Sequence, residues 1–289
     1  QLEPGRIMWE PNSDLNKYGT PMVLMTIPMF TNHESVEGLY FDSSITTPFH
    51  FVTVSGVAES PSNPVGGLSY INGDFDRGIR YMKELGVDYF ISYTDSITDK
   101  AIMSDELENL FQSSPFTVFK IYSDKVQVVD AEVVNFSQPE LVERISNSIF
   151  KQEKTDSFFN LAMKEFKLDN KKRIIEGIDT EESQIQNRIP GKKSEINNVR
   201  ISNNEITFET DHPNELHIVK VSYFPNWKIE NGSGPYRLSP SFMGVIPYSN
   251  EVSITFENTS LEKSLNIISL IIFLLTAYLL VFRIKKYAE

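Results

Sequence analysis

The chain has 289 residues, a formal net charge of −12 and no cysteine. The lack of cysteine excludes stabilisation by disulfides, and the acidic balance argues against nucleic acid or anionic lipid as a broad-surface partner. A chain of this length can bury a substantial core, so one large domain or two smaller ones are expected.

The first part of the chain, residues 1–170, is predicted to be a mixed α/β domain. Asp74 and Gly86 bracket a helix with apolar residues at helical spacing, and a strand follows at residues 87–93. A helix, a glycine and a strand in succession are typical of an α/β layer. Before this unit, short apolar runs between turn residues predict three strands, at Arg6–Trp9, Pro21–Phe30 and Phe49–Val57.

Two further predictions concern the segment that follows the helix and strand. Asp99–Gln112 is predicted to be a second short helix, because its apolar residues recur at helical spacing. Phe116–Ser123 and Lys125–Val134 are predicted to form a hairpin, because two apolar runs flank a Ser-Asp turn. Both predictions place regular elements on the α/β side of the chain.

The end of this part and the segment after it are more polar. Ser137–Glu140 carries a capping-box pattern that begins a helix, and another helix is predicted at about Asp156–Lys167. Residues 171–195 are strongly polar. That composition fits a solvated connector between domains or a polar surface helix.

From residue 196 the pattern changes to closely spaced strands. Apolar runs separated by proline, glycine and asparagine continue to residue 259 and predict a small antiparallel β-sandwich. The fold class expected for the whole chain is therefore α+β: a mixed α/β part, a sandwich and one C-terminal helix. The predicted strands are Val199–Ser202, Glu205–Thr210, Leu216–Tyr223, Trp227–Ile229, Phe242–Ile246 and Val252–Phe256.

The clearest segment lies at the C-terminal end. Ser264–Phe282 contains no formal charge over 19 residues, and as a helix it would be about 28 Å long, close to the hydrocarbon thickness of a bilayer. A buried core helix would normally be shorter and carry a polar face. The stretch is therefore predicted to be a transmembrane helix in the cell membrane. Three basic residues follow in the short tail 283–289, so the tail is expected on the cytoplasmic side.

This orientation places residues 1–262 outside the cytoplasm. Because residues 263–289 carry four basic residues and one acidic residue, the outer part holds a net charge of −15. Translocation of such a part requires an upstream signal or earlier membrane spans, which we expect to precede Gln1. Three N-glycosylation acceptor patterns, at Asn135, Asn231 and Asn258, agree with an extracytoplasmic location.

The stretch 219–247 concentrates aromatic residues around tight turns. Tyr223, Trp227 and Tyr236 are candidates for a sugar-stacking platform, since aromatic faces pack against the apolar faces of sugars. The alternative is a packed corner of the sandwich with Trp227 buried. Arg237 is a candidate for holding a phosphate or a carboxylate, or for pairing with a nearby aspartate.

This stretch resembles the C-terminal ectodomain of large multi-spanning prokaryotic membrane proteins, the 6-pyruvoyl-tetrahydropterin synthase-related membrane proteins. These are similar to integral-membrane glycosyltransferases of the C superfamily (GT-C). The resemblance covers most of the chain, and its specific block is Ser222–Trp227. The other matching pieces are Gly234–Arg237, Pro240, Met243, Pro247, Gly5–Glu10, Gly19–Pro21, Glu37–Tyr40, Thr47–Phe49 and Leu85–Tyr89.

The resemblance implies a part of a glycosyltransferase-like protein that binds or positions a glycan acceptor. Sugar would be transferred from a lipid-linked donor by an upstream multi-spanning domain, so no catalytic residue is carried onto this chain. Its partners would be the bilayer, that domain or a partner subunit, and a glycan or lipid-linked sugar. The alternative is a non-catalytic, single-span ectodomain subunit of a membrane complex or a cell-surface layer.

No cofactor or metal site is predicted. The four histidines, His33, His50, His212 and His217, lack a recognised ligand spacing, and ordinary core or surface histidines are expected. No phosphate loop, nucleophile elbow or dinucleotide fingerprint occurs in the chain. The carbohydrate role therefore depends on the aromatic stretch and on the resemblance.

Overall fold

A computed structural model describes residues 2–37, 45–136, 158–178 and 195–288. Its N-terminal part contains a mixed five-stranded sheet in the order β2-β1-β3-β5-β4. β1 is parallel to both β2 and β3, whereas β3, β5 and β4 pair in antiparallel fashion. The strands are β1 Arg6–Trp9, β2 Glu34–Ser35, β3 Tyr89–Ser92, β4 Glu108–Ser113 and β5 Phe116–Lys120.

Five helices accompany this sheet in the described residues. Asp74 caps α3 by accepting a hydrogen bond from the Arg77 amide, and Gly86 follows the helix at a φ of +68°, as predicted. Two 3-10 helices, Ser13–Tyr18 and Val23–Thr26, precede α1. The helices are α1 Ile27–Phe30, α2 Thr47–Val57, α3 Phe75–Glu84, α4 Asp95–Ile102 and α5 Phe158–Lys167.

Two of the three predicted N-terminal strands are wrong; only Arg6–Trp9 is confirmed. Phe49–Val57 lies in helix α2, of which every residue except Pro48 is buried. A helix that is apolar on all sides has no helical periodicity, so its sequence cannot be told from that of a buried strand. Pro21–Phe30 forms a 3-10 turn followed by α1, because the two prolines interrupt a strand.

The predicted helix at Asp99–Gln112 and the predicted hairpin after it are also wrong. The helix α4 begins four residues earlier, where the Thr94 side chain caps it, and β4 occupies the second half of the predicted segment. The hairpin joins β4 to β5 instead. Both edges of β5 are thereby occupied, so the chain after β5 passes to another sheet.

The remaining strands form two sheets. One is six-stranded, in the order β6-β11-β14-β13-β8-β7, and the other is four-stranded, in the order β12-β15-β10-β9. All neighbouring pairs are antiparallel except β7 with β8. The strands are β6 Val126–Val128, β7 Glu132–Phe136, β8 Lys172–Glu176, β9 Ile196–Ile201, β10 Glu205–Thr210, β11 His217–Ser222, β12 Trp227–Glu230, β13 Gly232–Leu238, β14 Phe242–Pro247 and β15 Glu251–Phe256.

The α+β fold class with a sandwich-like part is confirmed, and each strand predicted after residue 196 corresponds to an observed one. The predicted connector 171–195 needs correction, because Lys172–Glu176 forms strand β8 inside the six-stranded sheet. Its three central residues, Arg173, Ile174 and Ile175, are buried. Only two of them are apolar, and the charged residues around them mask the strand pattern in the sequence. The capping box at 137–140, the helix after it and residues 179–194 lie outside the described residues.

The layers share two main cores. The first lies between the five-stranded sheet, the helices and one face of the six-stranded sheet, and includes Phe90, Phe166 and Ile218. The second lies between the six-stranded and four-stranded sheets, and includes Phe208 and Met243. Residues alternate between the two faces of the six-stranded sheet, as the period of a strand requires. The six-stranded sheet therefore belongs to both halves of the structure.

The last helix, α6, covers Ser260–Ala288. Its segment Ser260–Leu280 is long and apolar enough to cross a membrane, and none of its most apolar stretch is buried in the protein. This agrees with the predicted segment 264–282 in position and character. Large aliphatic and aromatic side chains are exposed along the described part of this helix, among them Ile268, Ile272 and Leu275.

Candidate functional site

The structure separates the aromatic residues that were predicted as a sugar platform. Trp227 is only 7% exposed and lies in the sandwich core, with its ring edge-on to Phe256 at 5.2 Å. Tyr223 packs against the same core. Tyr236 packs against the first core, on the other face of the six-stranded sheet. Trp227 thus sits as the packed-corner interpretation expects, and the aromatic residues do not share one surface.

Arg237 is engaged by neighbouring side chains. Its guanidinium lies 3.5 Å from the Glu176 carboxylate, donates to Ser241 Oγ at 3.2 Å and covers the Phe158 ring at 4.2 Å. Burial raises the pKa of the adjacent Tyr223, and the Glu176 charge adds to this effect. Arg237 therefore pairs with an acid, as one of its two predicted roles required, although the acid is a glutamate.

The histidines outside the cleft described below have local partners. His217 is fully buried, and its ring nitrogens lie 2.8 Å from Thr210 Oγ1 and from the Glu215 carbonyl oxygen. His212 Nδ1 lies 3.0 Å from the Glu215 carboxylate, and His33 Nδ1 lies 3.3 Å from the Gly5 carbonyl oxygen. No group of three or more possible metal ligands occurs among the residues that the structure describes.

The three asparagines of the acceptor patterns are exposed. Asn231 and Asn258 lie at the ends of strands, whereas Asn135 lies within β7 and donates from its amide to the Ile178 carbonyl oxygen at 3.1 Å. Their use as glycosylation sites stays a prediction.

A cleft of 560 Å³ opens between the five-stranded sheet, the start of α2 and the sandwich. Residues of β1 and β11 line it. The start of α2 contacts the end of β11 where the Thr46 and Ser222 hydroxyls lie 3.0 Å apart. Polar groups from five separate segments line it, with Trp227 and Phe242 among the apolar residues of its wall. The polar lining residues are Arg6, Glu34, Ser35, Thr46, Thr47, His50, Ser202, Asn203, Lys220 and Ser222.

The cations beside this cleft hold the C-terminal end of α3. Arg6 Nη1 donates to the Leu85 carbonyl oxygen at 2.8 Å, and Lys220 Nζ donates to the Lys83 carbonyl oxygen at 2.9 Å. Lys125 Nζ donates to the carbonyl oxygen of Gly86. A helix ends with carbonyl groups that lack intrahelical partners and with a partial negative charge. Residues of β1 and β11 and the residue before β6 therefore satisfy one helix end, and this joins the α/β layer to the sandwich.

These cations are desolvated. Burial and the neighbouring Arg6 lower the pKa of Lys125 to about 8, although the Asp88 carboxylate at 2.7 Å opposes the shift. Burial also lowers the pKa of Lys220. Arg6 donates further to the Glu34 carboxylate at 3.1 Å, so its charge is balanced at the mouth of the cleft.

A buried histidine, His50, lines the cleft, and a largely buried carboxyl group lies beside it. His50 is 3% exposed, and its Nε2 lies 3.3 Å from the Glu37 carboxylate. Burial raises the pKa of Glu37 to about 7 and lowers that of His50 to about 4. Between these values both groups are uncharged, so the close approach is a contact of neutral groups. Neither ring nitrogen of His50 has a well-oriented hydrogen bond within the described part of the chain.

Replacing Glu37 with glutamine should make stability depend on pH differently from the wild type. The folded-state pKa of Glu37 is raised from 4.5 to about 7, so the wild type loses stability as pH rises through this interval. The variant lacks this loss. Its free energy of unfolding, relative to that of the wild type, should therefore be about 2–3 kcal/mol higher at about pH 8 than at about pH 5. Urea denaturation at both pH values measures the difference. A difference that is the same at both values would contradict the buried carboxyl.

A second depression, of 740 Å³, lies on the outer face of the four-stranded sheet. Polar side chains that alternate with the core residues line most of it, among them Thr207 and Ser253. Glu209 and Glu251 face each other across β10 and β15, which is an unfavourable pairing of like charges. The depression carries no aromatic platform among its lining residues, so a substitution on this face is a suitable control for substitutions in the cleft.

Sequence reasoning missed most of the cleft. The pair Thr46 and His50 lies far in the chain from the pair Ser202 and Asn203, and no spacing rule connects the two pairs. The only available signal was the block Arg6–Glu10, whose buried charges stand out from the surrounding apolar residues. Trp227 was predicted as part of a platform, and it lies in the wall of the cleft.

Comparisons of the chain with protein-family models, with curated proteins and with solved structures find no match.

Proposed function

We propose that this chain is the extracytoplasmic part of a membrane-anchored, glycosyltransferase-like protein that binds a glycan in the cleft between the α/β layer and the sandwich. The glycan would be an acceptor for sugar from a lipid-linked donor, and catalysis would belong to an upstream membrane domain. The helix α6 would anchor the chain, with its basic tail in the cytoplasm. The cleft is the observation that carries this proposal.

The chemistry of the cleft suits a sugar. Hydroxyls of Thr46, Ser202 and Ser222 and the amide of Asn203 both donate and accept hydrogen bonds, as sugar hydroxyls require. The edge of Trp227 supplies apolar surface beside them. A volume of 560 Å³ lies within the range of about 300–1,000 Å³ that is usual for small-ligand sites.

One observation favours the alternative, a non-catalytic subunit with a structural role. Arg6 and Lys220 donate to main-chain carbonyls, so part of the charge at the cleft already stabilises the fold. A structural subunit needs no more than this junction. Direct binding measurements separate the two functions.

Filling the cleft should abolish glycan binding. The variants Asn203→Trp and Ser222→Phe place a large side chain in the opening, whereas Thr207→Trp makes a comparable insertion on the outer face of the four-stranded sheet. With the full chain in detergent, a glycan array followed by calorimetry should show affinity reduced by at least about tenfold, or 1.4 kcal/mol, for the two cleft variants only. An absence of glycan binding by the wild type, or equal binding by all variants, would overturn the proposal and favour the structural subunit.

A further inference from the structure

The apolar helix α6 is joined to the sandwich by a short, structured connection. β15 ends at Phe256, and α6 begins at Ser260. Thr259 and Glu262 form a reciprocal capping box. The Glu262 amide donates to Thr259 Oγ1 at 3.2 Å, and the Thr259 amide and hydroxyl donate to the Glu262 carboxylate at 2.6 and 2.8 Å. The first turn of the helix is therefore fixed to the end of the strand.

Asn226 ties a second segment to the same turn. Its side chain is buried, and its Nδ2 donates to the Glu257 carbonyl oxygen at 2.9 Å and to the Glu262 carboxylate at 2.8 Å. The Glu257 amide donates in return to the Asn226 carbonyl oxygen at 2.9 Å. The loop between β11 and β12 and the start of α6 consequently form one unit.

The β11–β12 loop and the end of β15 present two apolar rings to the outside. Phe224 is 52% exposed and Phe256 is 37% exposed, and the two rings stack with centroids 5.9 Å apart. The buried Trp227 supports Phe256 from the inner side. The pair of phenylalanines is thus rigidly backed, although much of its apolar surface has no cover within the described residues.

The level of this pair relative to α6 follows from the hydrogen bonds. The charge-free stretch begins at Ser264, two residues after Glu262, which corresponds to about 3 Å of helix. Asn226 bonds to Glu262, so its loop lies beside the point where the apolar stretch starts. A bilayer has an interfacial layer of roughly 5–8 Å on each side of its hydrocarbon core. Apolar and aromatic side chains are stabilised in that layer when they project from a polar body.

We infer that Phe224 and Phe256 form an interfacial anchor that inserts into the headgroup layer of the bilayer crossed by α6. The anchor fixes the tilt of the folded part above the membrane surface, since the loop and the helix cannot rotate independently. This inference rests on the proposed membrane crossing of α6. The occupant is lipid, because Asn226 holds the loop of Phe224 at the first turn of α6, where the proposed membrane crossing begins.

Position-specific fluorescence tests the anchor, and the lack of native cysteine makes single-cysteine labelling possible. The full chain is reconstituted in phosphatidylcholine vesicles with an environment-sensitive fluorophore at Phe224→Cys, and in a second variant at Phe256→Cys. Leu270→Cys, within α6, and Met103→Cys, which replaces a side chain that is 85% exposed far from α6 in the chain, are the controls. Lipids with a quencher on the headgroup or deep in the acyl chain are then added.

Both phenylalanine positions should show blue-shifted emission and lose intensity with the headgroup quencher. Leu270→Cys should lose intensity with the deep quencher, and Met103→Cys with neither. If Leu270→Cys is quenched while both phenylalanine positions behave like Met103→Cys, the anchor is wrong and the membrane crossing stands. If Leu270→Cys is not quenched, the crossing itself is wrong. Blue-shifted emission at both phenylalanine positions without quenching by either lipid would indicate contact with a second copy of the chain and would also overturn the anchor.

Discussion

Replacing Arg173 with alanine is expected to destabilise the folded chain by about 3–5 kcal/mol. Arg173 is 5% exposed, and its guanidinium donates to both oxygens of the Glu84 carboxylate, at 2.6 and 3.1 Å, and to the Ser239 carbonyl oxygen at 3.1 Å. The variant leaves the Glu84 charge largely buried without its partner. Because this pair joins α3 to β8, the loss should appear as a lower midpoint in urea denaturation of the full chain in detergent.

The neighbouring residue in β8 provides a matched control. Lys172 pairs with Glu132 at 2.9 Å, but the two side chains are 47% and 63% exposed. Exposed pairs are solvated before and after the substitution, so Lys172→Ala should change the midpoint little. Equal effects of the two alanine variants would show that burial of the Arg173 pair does not set its contribution.

Replacing Glu10 with alanine is the second large effect, expected at about 3 kcal/mol. Glu10 has no exposed surface, and its carboxylate accepts hydrogen bonds from the Tyr93 amide at 2.8 Å and from the Thr94 amide and hydroxyl at 2.9 and 2.8 Å. The Glu59 amide adds a longer contact at 3.3 Å. Alanine would leave these donors in the interior without an acceptor, and thermal unfolding followed by circular dichroism measures the cost.

Glu10→Gln separates the shape of the side chain from its charge. Glutamine keeps one oxygen acceptor but brings an amide group toward the donors on Tyr93 and Thr94, so an intermediate loss is expected. A loss below about 1 kcal/mol for Glu10→Ala would contradict a structural role of this carboxylate.

Arg6 and Glu10 give the N-terminal block Gly5–Glu10 a structural role. The block was used to predict a strand and as a sign of resemblance, and its charges were given no role. In the structure its charged residues close the fold, since Arg6 binds the end of α3 and Glu10 binds the segment that begins α4. Charged residues in or next to a short apolar strand indicate contacts with other elements, because each buried charge must find partners in the interior.

The elements that were predicted well have strong local signals. The helix α3 has a side-chain cap, an amphipathic face and a C-terminal glycine, and the sandwich strands are separated by turn residues. The elements that were predicted wrongly lack such signals. Helix α2 is buried on every side, and β8 has only two apolar residues, Ile174 and Ile175, between charged neighbours. Tertiary packing decided both, and no local pattern records it.

The candidate site was less predictable than the fold. The cleft collects residues from β1, β2, the start of α2, the turn after β9 and the end of β11. Such a set becomes visible only when the sheets are assembled. Trp227 and Tyr236 lie on strands of different sheets, β12 and β13, so the alternation of residues within a strand does not relate their positions.

Labelling of intact cells tests the membrane anchoring most directly. Met103 is 85% exposed, and the chain has no native cysteine, so Met103→Cys offers a single target for a membrane-impermeant maleimide. A cysteine added after Glu289 reports on the other side of α6. We predict that Met103→Cys reacts in intact cells and that the added cysteine reacts only after lysis. Reaction of Met103→Cys only after lysis would contradict an extracytoplasmic folded part.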